Sequence, residues 1–311
     1  MDSTTTQVIT VPDKSLAEAL QSGAGEVRIV FWPDGSELPE DVKKEVTGVV
    51  LPYQHDSHTL HVLHDLPGLK WVQTQSTGYD NVLACLPVGV RLSNAAGVHA
   101  SSTAELAIGL VIASLRNIDT AAKDMLQGVW REKRHKSLEH RKVLVIGAGN
   151  IGDAIVRRLI PFGVTLSRIS RTARRDELGE VMTFAGLNDS LADAEIVILA
   201  LPLTEETKSL VNHQFLSRMP DEALLVNVGR GGVVVTEDLI SELNTGRLHA
   251  ALDVVDPEPL LPEHPLWKCP NLLITPHLGG NTTAFVPGIH KLLADQTERL
   301  KHGQLPLNLV N

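Results

Sequence analysis

Three polar residues, each placed where an apolar run stops, could carry acid and base chemistry on a small anion. They are Arg230 in Asn227-Val228-Gly229-Arg230-Gly231-Gly232, Glu258 in Asp253-Val254-Val255-Asp256-Pro257-Glu258-Pro259-Leu260, and His277 in Ile274-Thr275-Pro276-His277-Leu278-Gly279-Gly280. A guanidinium can grip a carboxylate, and the glycines beside it, Gly229 first, let backbone approach closely. An imidazole titrates near neutral pH and suits a general acid and base. A neighbouring carboxylate favours the imidazolium, so Glu258 is the candidate partner of His277. Singly, each has a plainer reading: an Arg after Gly is often surface, a Glu between prolines is often loop, and a His after Pro is often a satisfied turn residue. Together, and following a nucleotide-type turn, they point to hydride transfer to or from a small hydroxy acid.

That turn is Gly147-Ala148-Gly149-Asn150-Ile151-Gly152. Three glycines at this spacing recur by chance, but residues 143–146 read as a strand before them and 151–159 as a helix after them. In that context, backbone N–H groups and a helix N-terminus face a pyrophosphate. The following strand, 164–170, discriminates between cofactors. A site for NAD normally ends it with Asp or Glu, which accepts hydrogen bonds from the ribose hydroxyls. Here Ser167-Arg168-Ile169-Ser170-Arg171-Thr172-Ala173-Arg174-Arg175 contains no acid before Asp176. A ribose 2′-phosphate suits such a run, since guanidinium pairs with phosphate through parallel hydrogen bonds. Solvated arginines are the plainer reading. NADP is the expected cofactor, with NAD kept open, and Ser170, Arg171, Thr172 and Arg174 are its candidate contacts.

A chain of 311 residues is long for a single core, which argues for two domains. Runs at 27–32, 48–51 and 70–74 read as strands of a small α/β unit, and 101–127 as one long helix beginning at Ser102-Thr103-Ala104-Glu105. Residues 131–142 form a basic linker or surface stretch. Beyond it, mostly continuous apolar runs at 143–146, 164–170, 195–201, 223–228, 249–254 and 272–275 predict a doubly wound parallel sheet covered on both faces. A last helix spans 284–303 and could pack back on the first domain.

The balance of 28 basic and 37 acidic residues, formally -9, gives no broad attraction for nucleic acid or anionic membrane. Cys85 and Cys269 are too few for a disulfide framework or zinc site and read as buried thiols in a reducing cytosol. Met1 to Gln7 lacks the regions of a signal peptide, and no run is long enough to span a bilayer, so a soluble cytoplasmic protein is expected. His55, His58, His61 and His64 are spaced by three; a polar helix face is favoured over a metal ladder, and no metal site is expected. Tyr53 could line a substrate pocket or simply pack.

Several further segments extend the pattern from Trp71 to Thr282. They are Ser76-Thr77-Gly78-Tyr79-Asp80-Asn81, Leu201-Pro202-Leu203-Thr204 with Thr207, and Pro265-Leu266-Trp267 leading to Pro276-His277. With the glycine turn, the Asn227 segment, Asp253 and Glu258, they make the chain resemble the D-isomer-specific 2-hydroxyacid dehydrogenases. That family includes glyoxylate/hydroxypyruvate reductases, D-lactate dehydrogenases and phosphoglycerate dehydrogenases. The resemblance implies that Arg230 orients the substrate carboxylate and carbonyl, that His277 is the acid and base, and that Glu258 raises its pKa. It implies that the Thr77 and Gly78 amides hold the carboxylate and that Asp253 meets the nicotinamide carboxamide. Thr103, Gly147, Gly149, Asn150, Ile151, Gly152, Leu201, Pro202, Thr207, Asn227, Val228, Gly229 and Gly280 would lie along the cofactor.

The resemblance also implies an α/β fold with a Rossmann-type doubly wound sheet at 102–284. The smaller, flavodoxin-like substrate domain would comprise 1–101 with 285–311, the cleft between the domains would close on substrate, and the chain would form a homodimer. Val255 and Asp256 stand where the family commonly has an aromatic residue and a glutamate. Arg171 replaces the acid of NAD-dependent members. Glu258 argues against formate dehydrogenases, which pair the histidine with glutamine, and no regulatory domain is expected after Asn311. The expected activity is NADP-preferring reduction of a small 2-oxo acid of glyoxylate or hydroxypyruvate type. The alternatives are a phosphite-type oxyanion oxidoreductase and a non-catalytic NAD(H)-sensing binding protein, as in the C-terminal-binding corepressors.

Overall fold

Short β-branched and apolar runs become strands, most of them followed by a helix that returns the chain for the next parallel strand. The structure, a computed structural model, describes residues 7–21, 25, 27–33, 36–54 and 57–311. Residues 1–6 and His55 lie outside the described residues. The chain divides into two units: the described residues of Met1–His99 with Thr283–Asn311, and Ala100–Thr282.

In the first unit, Val8–Val11 (β1), Arg28–Phe31 (β2), Val46–Val50 (β3), Trp71–Gln73 (β4) and Arg91–Ser93 (β5) form one sheet. Its order is β2-β1-β3-β4-β5 and every pair is parallel, the flavodoxin-like arrangement. Ile289, Leu292 and Leu293 of the helix Phe285–Lys301 pack on Ile9, Val11 and Trp71. The free edge of β5 is covered by the C-terminal residues. Leu309 bridges Ser93 antiparallel, Val310 N–H donates to Leu92 O at 2.9 Å, and Asn311 Oδ1 accepts from Leu92 N–H at 2.7 Å.

The second unit holds Lys142–Ile146 (β6), Thr165–Ile169 (β7), Arg174–Asp176 (β8), Gly179–Val181 (β9), Ile196–Leu199 (β10), Leu224–Asn227 (β11), His249–Leu252 (β12) and Leu272–Ile274 (β13). The order β13-β12-β11-β10-β6-β7 is parallel throughout, while β8 and β9 form a separate antiparallel hairpin. The strand order reverses between β6 and β10, so the carboxyl ends of these two strands flank the crevice where ligands bind in such sheets. Alternation along β6 fills both faces: Leu144 and Ile146 join one core with Leu199 and Leu225, and Val143 and Val145 join the other with Ile196 and Ile198. The second core is closed by Ala104, Ala107, Leu110 and Val111 from the helix Ala100–Arg116.

Some expectations need correction. The helix expected over 101–127 is two helices, Ala100–Arg116 and Ile118–Leu126, because Asn117 adopts the left-handed conformation at φ 50°. Asn tolerates that region better than most residues, and apolar periodicity does not reveal it. The first helix starts at Ala100, so Ser102 and Thr103 are buried in its first turn rather than capping it. Cys85 and Cys269 are partly, not fully, buried. His61 and His64 are exposed, and no cluster of His, Cys, Asp or Glu fit to hold a metal occurs among the described residues. Among the described residues no helix is long and apolar enough to cross a membrane.

Candidate active site

The three glycines after β6 are required for three different reasons. Gly147 has φ +108°, and a Cβ there would lie 2.3 Å from Ala200 O. A Cβ on Gly152 would lie 1.8 Å from Gly147 O, so only glycine lets the helix Asn150–Leu159 start so close to the strand. A Cβ on Gly149 would meet nothing within 4 Å, which leaves its backbone open to a ligand. Open backbone at the middle glycine, beside a helix N-terminus that carries Asn150 and Ile151, fits a pyrophosphate.

At the end of β7 the cations are not equivalent. Arg168 is 3% exposed and bonded to Asp153 and Asp176, whereas Arg171 is exposed and in no salt bridge among the described residues. Hydrogen bonds from Arg168, foremost, push the Asp176 pKa down to about 2. Arg174 donates from Nη2 to Ala148 O at 2.7 Å, and Ser170 Oγ donates to Thr172 O at 2.9 Å. The burial of Arg168 left no mark in local sequence, since one of its partners, Asp153, lies fifteen residues away.

The loops after β10, β11 and β12 interlock. Thr207 Oγ1 donates to Pro202 O at 2.6 Å and accepts from Thr204 N–H at 2.8 Å, closing the loop that begins at Leu201. Asn227, 0% exposed at the end of β11, accepts from Gly229 N–H and donates from Nδ2 to Arg230 O, both at 3.0 Å. Its amide therefore fixes the Val228-Gly229-Arg230 turn. A Cβ on Gly229 would lie 2.6 Å from Leu201 O, and one on Gly231 1.8 Å from Val255 O. Arg230 is thus set between two backbones that only glycines admit. Gly231→Ala is expected to destabilise this unit by about 2–3 kcal/mol, because the Val255 backbone must move. A thermal melt should fall by roughly 5–10 °C, and an unchanged Tm would contradict this packing.

His277 follows β13 with φ 53°, and its N–H donates to Asp253 O at 2.9 Å. The Asp253 side chain is 3% exposed and holds the same loop: Oδ1 accepts from Thr275 Oγ1 at 2.6 Å and Leu278 N–H at 2.8 Å, Oδ2 from Gly279 N–H at 2.9 Å. A Cβ on Gly279 would approach Thr103 Cγ2 to 3.2 Å, so Thr103 and Gly280 border the same loop. Glu258 Oε1 lies 2.5 Å from His277 Nδ1. That hydrogen bond, reinforced by the charges of Glu258 and Asp253, holds the His277 pKa above the ordinary imidazole value. Partial burial and the Arg230 guanidinium pull it down. Among the described residues, Nε2 of His277 has no partner, so in the imidazolium form it is free to donate a proton. The three residues singled out in the sequence thus occupy consecutive strand ends of one sheet, and His277 feels the charges of both Glu258 and Arg230.

In the first unit, residues 76–78 of the loop after β4 have their carbonyls occupied. Ser76 O accepts from Ala95 N–H, Thr77 O from Asn94 Nδ2 at 2.9 Å, and Gly78 O from Ser76 Oγ at 2.6 Å. The Thr77 and Gly78 N–H groups have no acceptor among the described residues, which suits an anion. Tyr53 packs with His99 and Phe285, ring centroids 5.7 and 4.8 Å away, so its ring belongs to an aromatic cluster.

Comparison with known proteins accords with this geometry. A family model described as D-isomer specific 2-hydroxyacid dehydrogenase, NAD binding domain, matches residues 108–279. A glyoxylate reductase of Pyrococcus horikoshii is 31% identical over 303 residues, 92% of this chain and 90% of that protein. The chain belongs to the D-isomer-specific 2-hydroxyacid dehydrogenases. It is therefore an NAD(P)-dependent oxidoreductase with a nicotinamide cofactor. Among solved dehydrogenases, that of Xanthobacter autotrophicus in complex with NADPH superposes at a TM-score of 0.83 with 27% identity, covering 99% of this chain and 98% of that one. The NADPH-dependent glyoxylate/hydroxypyruvate reductase of Sinorhizobium meliloti in complex with NADP superposes at 0.82, with 25% identity and 98% coverage of both chains. In this dehydrogenase the side chains of Asn227, Asp253 and Thr207 are spent on loop geometry, a use that residue type alone does not disclose.

Proposed function

We propose that this dehydrogenase is an NADPH-preferring reductase of small 2-oxo acids of the glyoxylate/hydroxypyruvate type. The hydrogen-bonded Glu258–His277 pair, on the same sheet edge as Arg230 and the glycine turn, carries the reading. The bound nicotinamide supplies or accepts the hydride. Arg230 holds the substrate carboxylate and carbonyl. His277 gives its Nε2 proton to the carbonyl oxygen, while Glu258 stabilises the imidazolium until that transfer. The absence of an acid between Ser170 and Arg175, with Arg171 exposed, supports NADP over NAD. The names of the Pyrococcus and Sinorhizobium relatives support the substrate class, and the family likeness supports a cytoplasmic homodimer.

Steady-state rates with NADPH and NADH against glyoxylate, hydroxypyruvate, pyruvate and phosphite test the reading. Turnover of a 2-oxo acid is expected, with KM at least about tenfold lower for NADPH, the scale of one or two charge-assisted hydrogen bonds. Phosphite oxidation, a preference for NADH, or cofactor binding with no turnover would each refute it.

A further inference from the structure

The first acid after β7 is Asp176, and its position leaves open whether it receives the ribose hydroxyls as the acid of an NAD site does. The structure answers through Arg168. Its Nη1 donates to Asp176 Oδ1 at 2.6 Å, and its Nη2 donates to Asp176 Oδ2 at 3.1 Å and to Asp153 Oδ1 at 2.7 Å. Asp176 also accepts from Leu178 N–H at 2.9 Å and from Arg174 Nε at 3.2 Å. Both of its oxygens are thus engaged by the protein. Arg174 in turn reaches Ala148 O, inside the glycine turn, at 2.7 Å. The contacts close a ring from the phosphate-binding helix through Arg168, Asp176 and Arg174 back to the turn.

Charge bookkeeping gives this ring a consequence. Arg168 is the only arginine or lysine buried among the described residues, and a buried guanidinium is tolerable only when paired. Pairing it cancels carboxylates that would otherwise repel a phosphate at the ribose end of the site. Arg174 is itself paired with Asp176 and Asp153, so two guanidiniums balance the two carboxylates and Arg171 stands outside these pairs, while Arg174 is aimed by its Nε bond to Asp176.

We infer that Arg168 and Asp176 are positioning residues for cofactor choice, which withdraw the carboxylates from the ribose and hold Arg174 across the phosphate turn. This rests on the NADP reading above and adds residues that do not touch the cofactor. The experiment measures KM for NADPH and NADH in the wild type, Asp176→Asn, Arg174→Met and the double variant. Asp176→Asn is expected to lower the NADPH-over-NADH selectivity about tenfold through the NADPH KM. Arg174→Met should lose a similar factor, and the double variant should be within about twofold of the worse single one, since both losses pass through Arg174. If Asp176→Asn keeps the wild-type selectivity within about twofold, or if the two losses multiply in the double variant, the inference fails while the NADP reading stands. A wild type that prefers NADH overturns both. Should Asp176→Asn not fold, Arg168→Lys serves instead: it keeps a buried cation but loses the fork, and selectivity should drop at least about threefold. Unchanged selectivity in that variant overturns the inference.

Discussion

Replacing His277 with alanine is expected to lower kcat for 2-oxo acid reduction by about 10²–10⁴-fold, with the NADPH dissociation constant within about twofold of wild type. The imidazole is held by a carboxylate at one nitrogen and, among the described residues, left without a partner at the other. Its loop is fixed by the buried Asp253, so the loss should fall on proton transfer rather than on cofactor affinity. Near-normal turnover of the variant would remove His277 from the mechanism. The sign of the pH dependence follows from the raised pKa. Reduction needs the imidazolium, so the rate is full below the His277 pKa and declines as pH rises through it, above the ordinary value of about 6.5. Glu258→Gln removes the main cause of the rise, and its decline should begin at lower pH. Oxidation of the hydroxy acid needs the neutral ring, so its rate rises with pH through the same pKa, and in Glu258→Gln that rising limb also moves to lower pH. Profiles of kcat for both directions check this, and a Glu258→Gln profile that overlays the wild type would disprove the coupling.

Arg230→Lys should be nearly as damaging, lowering kcat/KM for the 2-oxo acid by about 10²–10³-fold. Lysine keeps the charge but not the planar fork that binds a carboxylate through two bonds. Asn227 and the glycines on either side fix the backbone from which that fork projects, so a flexible ammonium cannot recover the geometry. A loss of less than about fivefold would show that Arg230 does not grip the substrate. Arg230→Met adds a second readout. The guanidinium opposes the rise in the His277 pKa, so its removal should move the declining limb of the reduction profile to higher pH.

The site was readable where chemistry coincides with element ends. Continuous apolar runs stopping near Asn227, Asp253 and Thr275 announced strands, buried in the first two and partly buried in the last, and the residues just beyond them had to lie at the ligand edge. The glycines were readable for the same reason, since Gly147 and Gly152 have backbone neighbours that exclude any Cβ. Strands β1 and β5 escaped: four residues at Val8–Val11 are too few to show a period, and Arg91–Ser93 is largely polar, its partner Trp71–Gln73 being fixed only by the fold. The break at Asn117 depends on a single backbone dihedral, to which hydrophobic periodicity is blind. Arg168 looked like the other cations of its segment because partners from two other elements decide its fate. Asp253 and Asn227 were assigned outward roles by resemblance, while their side chains turn on hydrogen bonds with neighbouring backbone that only coordinates reveal.

The closure of β5 by residues 308–311 bears on how the chain is made. The second unit is continuous in sequence and can complete its sheet while synthesis proceeds, because domains fold as units. The first unit begins earlier but must wait. Its edge strand stays open until residues 308–311, which follow the whole second unit in the chain, leave the ribosome, and an uncovered strand edge is a template for pairing with another chain. Translation therefore exposes the older half of this protein longer than the younger one, and chaperone dependence should concentrate on its amino-terminal sheet.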